Sequence, residues 1–313
     1  MSPFFSIVIP VFNREERILK TVKSCLIQTY TDFEVIVIDD CSTDSTISRL
    51  STLFDKRVKV YRNESNSERC FSRNKGVQLS MGEYVCFLDS DDLYMPDHLE
   101  RLHQFIKSNK ENNFMLFANS FVKNDKGELI KRIVPELNEA DVFDYLLTYT
   151  PNPARVCVSR SILLLHSFDT QIPGMEDLDL WVRIAKEFPV YHIPSYTSVY
   201  VQHDDMYSVI SKDRLTREIH MLTYIVEKNG LKSLTVKSSI NRLFSMYYFH
   251  LSAIYFDNRQ FRKTILCAIK SIWLCPRGYN GKTNKILLAN IIYSTPILGM
   301  VVKRVFSLVR KLG

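Results

Sequence analysis

The sequence predicts an α/β fold: a mixed, mostly parallel sheet flanked by helices, with a C-terminal helical extension. Three observations carry this. Short apolar runs alternate with helical patterns through residues 4–92. Two of those runs end in clustered aspartates, at Asp39-Asp40 and at Asp89-Ser90-Asp91-Asp92. From Asp213 onward the pattern turns helical throughout.

In order, residues 4–11 (FFSIVIPV) read as a buried strand ending near Pro10 and Asn13. Residues 15–30 carry Ile18, Leu19, Val22, Cys25 and Leu26 at helical spacing, with acids at the start. A second strand covers 33–38 (FEVIVI). Ser42-Thr43-Asp44 then offers an N-cap to a helix bearing Ile47, Leu50 and Leu53. Residues 58–61 read as a third strand, 71–80 as a short helix, and 84–88 as the next strand. Beyond these, strands are predicted over 114–122, 129–134, 155–158, 190–193 and 196–202, the last two separated by Pro194. Helices are predicted over 140–147, from Glu176-Asp177 onward, and over 219–226, 240–256 and 261–274. The pattern divides the chain into residues 1–212 and 213–313, with the boundary near 206–214.

In open α/β sheets, ligands bind beyond the carboxyl ends of the strands. Three strand ends, at residues 10–13, 39–40 and 89–92, therefore line one crevice. There is no GxGxxG and no P-loop, so a glycine cradle for phosphate is excluded. Three carboxylates within four residues repel one another and raise each other's pKa. A hard divalent cation with oxygen ligands holds such a group ionised. Taken alone, the stretch reads more simply as a solvated acidic loop capping the next helix, with Asp97 and Glu100 in that helix's first turn; the motifs that follow reverse this.

The 46% hydrophobic and 24% charged residues are those of a globular chain able to bury a large core. Met1-Ser2-Pro3 leads straight into the first strand without a basic, apolar leader, so no signal peptide is expected. The seven cysteines are scattered and form no CxxC pair, which points to reduced thiols in a cytoplasmic setting and away from a disulfide framework or zinc site. The net charge of +7 is concentrated in the tail: no acid follows Asp257, while eleven Lys and Arg do. The apolar content of that tail favours an anionic membrane surface over nucleic acid. Residues 286–302 are free of charge but interrupted by Asn290, Ser294, Thr295, Pro296 and Gly299. That leaves an interfacial helix, a packed helix and a span all open.

These motifs resemble one family. Ser6–Asn13, Gln28-Thr29, Phe33–Asp44, Ser72–Gly76 and Gly82–Asp92 are similar to the nucleotide-sugar-binding half of the family-two inverting glycosyltransferases of the GT-A fold. Phe168-Asp169, Glu176–Arg183 and Tyr200–His203 resemble its acceptor half. The resemblance covers roughly the first two thirds of the chain. It implies a nucleoside-diphosphate sugar donor, UDP being favoured, and a glycan or lipid-linked acceptor of bacterial surface polysaccharide. It implies that Pro10, Val11, Phe12, Asn13 and Asp40 grip the base, that Arg73 contacts base or diphosphate, and that Asp89 and Ser90 lie near the ribose. Asp91 and His203 would hold Mn²⁺ or Mg²⁺, and Asp177 of the Glu176-Asp177 pair would be the general base. It further implies work at the inner face of the cell membrane, with peripheral contact through the tail.

Each residue also has a plainer reading: Phe12 as core, Asp39 and Asp40 as helix caps, Arg73 and His203 as structural hydrogen-bonders, Glu176 and Asp177 as first-turn helix acids. The loop 63–67 lacks the glycine many relatives carry, and residues 124–153 match nothing in the family pattern. Two other functions compete. A nucleotidyltransferase needs a Gly- and Lys/Arg-rich loop after the first strand, and Val11–Glu15 is not one. A silent scaffold predicts broken acidic motifs, and both are intact.

Overall fold

The computed structural model describes residues 2–124, 126–172, 174–203, 211–231, 236–276 and 286–288. The chain divides into two compact units, Met1–Met206 and Tyr207–Gly313.

The first unit begins β1 (Phe5–Val11), α1 (Ile18–Leu26), β2 (Phe33–Asp39), α2 (Thr46–Leu50), β3 (Val58–Arg62), α3 (Glu68–Leu79) and β4 (Tyr84–Phe87). It continues β5 (Leu93–Tyr94), α4 (His98–Ser108), β6 (Met115–Lys123), β7 (Leu129–Lys131), α5 (Val142–Tyr149), β8 (Val156–Ser159), α6 (Arg160–Leu165), α7 (Glu176–Ala185) and β9 (Val190–Val201). The strands form one sheet in the order β3-β2-β1-β4-β8-β6-β9-β5, with β7 added to β6. The run β3-β2-β1-β4 is parallel, whereas β8 is antiparallel to both β4 and β6.

Every residue of β1, β2, β4 and β8 is buried. That is why these strands are continuous apolar runs without alternation: both faces are covered. Pro10 follows the last β1–β4 pair, Val8↔Phe87, so its missing N–H removes no ladder bond on that side. Helix α1 lays Ile18, Val22 and Cys25 on the core. Buried Gln28, just past it, ties two helices together. Its amide donates to the carbonyls of Ser24 (3.0 Å) and Met95 (2.8 Å) and its oxygen accepts from the Leu99 N–H (3.0 Å). This gives the Gln28-Thr29 motif a structural reason.

Two glycines set the spacing around β1. A Cβ on Gly76 would lie 2.3 Å from Val8 Cγ1, so α3 rests directly against β1. A Cβ on Gly82 would lie 2.6 Å from the Ser6 nitrogen and 2.7 Å from the Phe5 carbonyl carbon. The same turn is bonded to the sheet: the Gly82 N–H donates to Ser6 Oγ, which donates to the buried Glu34 carboxylate.

Three elements of the first unit differ from the sequence reading. The strands expected at 190–193 and 196–202 are one, β9. Its pairing with β6 jumps from Ala118↔Ile193 to Asn119↔Tyr196 and then to Ser120↔Ser198. Pro194 thus falls in a bulge, where a residue without an N–H is tolerated. The strand expected at 129–134 is confined to 129–131. The helix expected from Phe71 begins at Glu68, whose φ is +70°.

The second unit holds α8 (Lys212–Lys228), α9 (Lys237–Asp257) and α10 (Phe261–Leu274). Buried hydroxyls join the last two: Ser245 with Ser271, and Ser252 Oγ to the Thr264 carbonyl. The stretch expected to meet a membrane, 286–302, lies outside the described residues except for 286–288. Among the described residues no helix is long and apolar enough to cross a membrane.

Because the Gly82 clash is with backbone, Gly82→Ala should lower unfolding stability by about 1–3 kcal/mol. A urea titration with an unchanged slope and a lower midpoint would show it.

Candidate active site

The three strand ends named by the sequence lie at one edge of the sheet. Past β1, Phe12 is 41% exposed, which sets aside its reading as core. Asn13 adopts φ +50°, a region that Asn tolerates. It is locked to the β2 side: its Oδ1 accepts from the Thr43 N–H (2.8 Å) and its own N–H donates to Ser42 Oγ (3.0 Å). Asp40, just past β2, is buried. Its Oδ1 accepts from Asn63 Nδ2 (2.7 Å) and from the Ser67 N–H (3.0 Å). The loop 63–67, which lacks the usual glycine, is therefore held by Asp40 itself.

Past β4 the carboxylates separate by environment. Asp89 accepts from Arg73 Nη2 at 2.7 Å. The Ser90 carbonyl accepts from Thr21 Oγ1 (3.0 Å). Asp91 Oδ2 lies 3.0 Å from His203 Nε2 and 3.4 Å from Arg14 Nε. Asp92 is buried, and its Oδ1 accepts from the Val201 N–H (3.0 Å), which fastens the end of β9 to this turn. Its Oδ2 is buried without a partner. Burial, then the charges of Asp89 and Asp91, push the Asp92 carboxyl well above the usual carboxylate range.

On α7, Glu176 is buried and doubly paired. Arg73 Nη1 reaches its Oε1 at 2.8 Å and Arg69 Nε reaches the same oxygen at 2.7 Å. Arg73, 2% exposed, thus joins Asp89 to Glu176. Two of its nitrogens are committed to acids, so Arg73 braces the 89–92 turn against α7. Asp177 takes the other course. It stays half-buried and accepts only from the Leu178 N–H (2.8 Å). Burial, then the Glu176 charge, push its carboxyl up to about 7. A carboxylate near neutrality is a proton acceptor matched to physiological pH. Met175, just before the helix, has φ +61° and turns the chain so that α7 starts at the pair. Trp181, fully buried one turn on, donates from Nε1 to the Pro151 carbonyl (2.9 Å) and packs near Phe168 and Phe87.

Arg69 and Arg14 were not singled out in the sequence, because an Arg at a helix start or a strand end carries no signal of its own. Arg155 was also passed over. It sits in a turn beside β4, 1% exposed, with Nη1 unpartnered. Burial and the nearby Arg132 lower its pKa to about 10.

The family model described as glycosyl transferase family 2 matches residues 6–166. The chain belongs to glycosyl transferase family 2. The sheet and its flanking helices are the GT-A fold. This family 2 chain is 36% identical over 186 residues to an uncharacterized glycosyltransferase of Rickettsia conorii, covering 58% of this chain but 30% of that relative's length. It is 26% identical over 230 residues to WcaA of Escherichia coli K12, named for colanic acid biosynthesis, covering 70% of this chain and 80% of the relative. Among solved structures, residues 1–349 of Staphylococcus aureus TarS with UDP superpose with a TM-score of 0.61 at 20% identity, covering 94% and 89% of the two chains. The mannosyltransferase PcManGT of Pyrobaculum calidifontis, with GDP-mannose and Mn²⁺, gives 0.59 at 16% identity, covering 94% and 87%.

Arg73→Met leaves Glu176 with one buried cation fewer and Asp89 without its partner. Removing one member of a buried ion pair costs about 3–5 kcal/mol. Thermal denaturation should show a loss of that order, and a much larger one than Arg14→Met causes at the exposed edge.

Proposed function

We propose that this chain is an inverting glycosyltransferase. It moves a sugar from a nucleoside-diphosphate sugar, with UDP as the nucleotide, to a hydroxyl of a glycan or lipid-linked acceptor, and Asp177 is the general base. The observation that carries the reading is the state of Asp177. Its neighbour Glu176 is paired with two guanidinium groups, while Asp177, which accepts from the Leu178 N–H, is raised to about 7, on a helix joined to the 89–92 turn through Arg73.

The step needs one base. The acceptor hydroxyl oxygen forms its bond to the anomeric carbon as the bond from that carbon to the diphosphate oxygen breaks. The hydroxyl proton passes to an oxygen of Asp177. In-line attack from the face opposite the leaving group inverts the anomeric configuration. Phe12, exposed past β1, offers a face for the base, and the second oxygen of Asp40 offers an acceptor to a uracil imide. Glu176 and Arg73 are positioning residues.

Asp91 and His203 suit a hard or borderline divalent cation. Their Oδ2 and Nε2 converge at 3.0 Å. Among the described residues no group of three potential protein ligands gathers, and a cation in a phosphate site takes one or two protein ligands with the rest from phosphate and water. A bound Mn²⁺ or Mg²⁺ would neutralise charge on the diphosphate leaving group. The nucleotidyltransferase and silent-scaffold readings leave the base-like Asp177 without a task. The tail after Asp257 we read as a contact to the inner face of the cell membrane, from its charge and its apolar content.

With an acceptor supplied, Asp177→Asn should lower kcat about 10²–10⁴-fold while donor binding persists. Asp91→Asn should weaken donor binding and metal dependence together. Full transfer by both variants would sink the reading. The pH profile of kcat/KM should rise through about 7, because the base acts only when ionised. The sign for stability is opposite. The folded carboxyl titrates above its ordinary 3.8, so its ionisation costs stability as pH rises from about 4 to about 7. Asp177→Asn should therefore exceed the parent in stability at pH 8, by roughly 1–4 kcal/mol. Paired urea titrations at pH 5 and 8 measure this.

A further inference from the structure

We propose that β7 and the two residues after it, 129–133, dock on an anionic lipid surface and hold the open end of the crevice against it. This rests on the lipid-linked form of the acceptor reading. The first observation is exposure. Leu129 is 49% exposed, Ile130 52% and Ile133 86%. Successive strand residues point to opposite faces, so Leu129 and Ile130 expose both faces of the ribbon. Three large aliphatic side chains within five residues exceed the scattered exposure that a soluble surface normally carries.

The second observation is charge. Lys131 and Arg132 stand between those aliphatic residues and are exposed, as is Lys126 across the turn. Asp125 and Glu128 are the acids of residues 123–133, against Lys123, Lys126, Lys131 and Arg132. The Glu128 carboxylate is already taken by Asn124 Nδ2 (2.8 Å). Aliphatic side chains interleaved with Lys and Arg match the boundary between acyl chains and phosphate headgroups. A second copy of the chain is disfavoured as the occupant. Symmetric pairing along the β7 edge would set Lys131 and Arg132 against their own counterparts, a device that keeps edge strands apart.

The third observation is position. β8 runs antiparallel to both β4 and β6. The C-terminal end of β6, from which β7 projects, is therefore at the same edge of the sheet as Asp89–Asp92. A lipid surface touching β7 would present its headgroups to the edge where the donor turn lies.

The test uses the full chain carrying Ile133→Trp, a change at a site 86% exposed. With phosphatidylglycerol-containing vesicles, the added emission should shift to the blue and be quenched by brominated acyl chains. Phosphatidylcholine vesicles should give much less of both. The double variant Lys131→Glu/Arg132→Glu should weaken vesicle binding about tenfold or more and leave donor hydrolysis unchanged. No quenching while the chain still floats with vesicles overturns the proposal. So does a blue shift without vesicles that grows with protein concentration, which means self-association. Donor hydrolysis, and its loss in Asp91→Asn, reads the transferase assignment separately.

Discussion

A single buried guanidinium holds the candidate site together. Arg73 donates to Asp89 on the donor turn and to Glu176 on α7, and is itself 2% exposed. Charges this deep persist only when paired, because desolvation costs several kcal/mol per ion. Arg73 depends on both acids for its pairing, and Asp89 depends on Arg73, while Glu176 also keeps Arg69. The bridge therefore fixes three elements, α3, β4 and α7, whose contributions are far apart in sequence. It also leaves the two acids of the Glu176-Asp177 pair in different settings. Glu176 takes both guanidinium groups as partners, while burial and then the Glu176 charge push Asp177 up.

The donor turn shows the same division of labour. Asp89, Asp91 and Asp92 lie within four residues but have three different partners: a buried Arg, a His with an Arg, and a backbone N–H of β9. Crowded like charges are tolerable because each faces a different donor. Asp92 serves the fold by closing β9 onto the turn, and Asp91 is the one that faces His203 and Arg14. The plain reading of this stretch as a helix cap fails on geometry. Asp97 precedes α4 without a side-chain cap bond, and none of the three acids reaches that helix's N-terminus.

Much of this was legible beforehand. Strands buried on both faces leave a continuous apolar run, so β1, β2 and β4 could be read within one or two residues. The acids at their ends followed, because charge abutting a buried run is unusual. What could not be read depends on tertiary pairing. The two-residue β5 is too short for any periodicity. β9 was split in two because Pro194 ordinarily ends a strand, and only the opposite strand shows that it lies in a bulge. The Arg73 bridge joins residues 103 apart, and no local pattern announces it. For the same reason the pairings of Arg69, Arg14 and Arg155 went unnoticed, and Arg73 was read without its two buried acid partners.

The central claim is that Arg73 couples the donor turn to the helix of the base. A double-mutant cycle measures it directly: Asp89→Asn and Glu176→Gln, singly and together, by urea denaturation in the parent and in an Arg73→Met background. The account predicts a coupling of about 1 kcal/mol or more in the parent that vanishes when Arg73 is replaced. Additive effects in the parent, or a coupling that survives Arg73→Met, would contradict it.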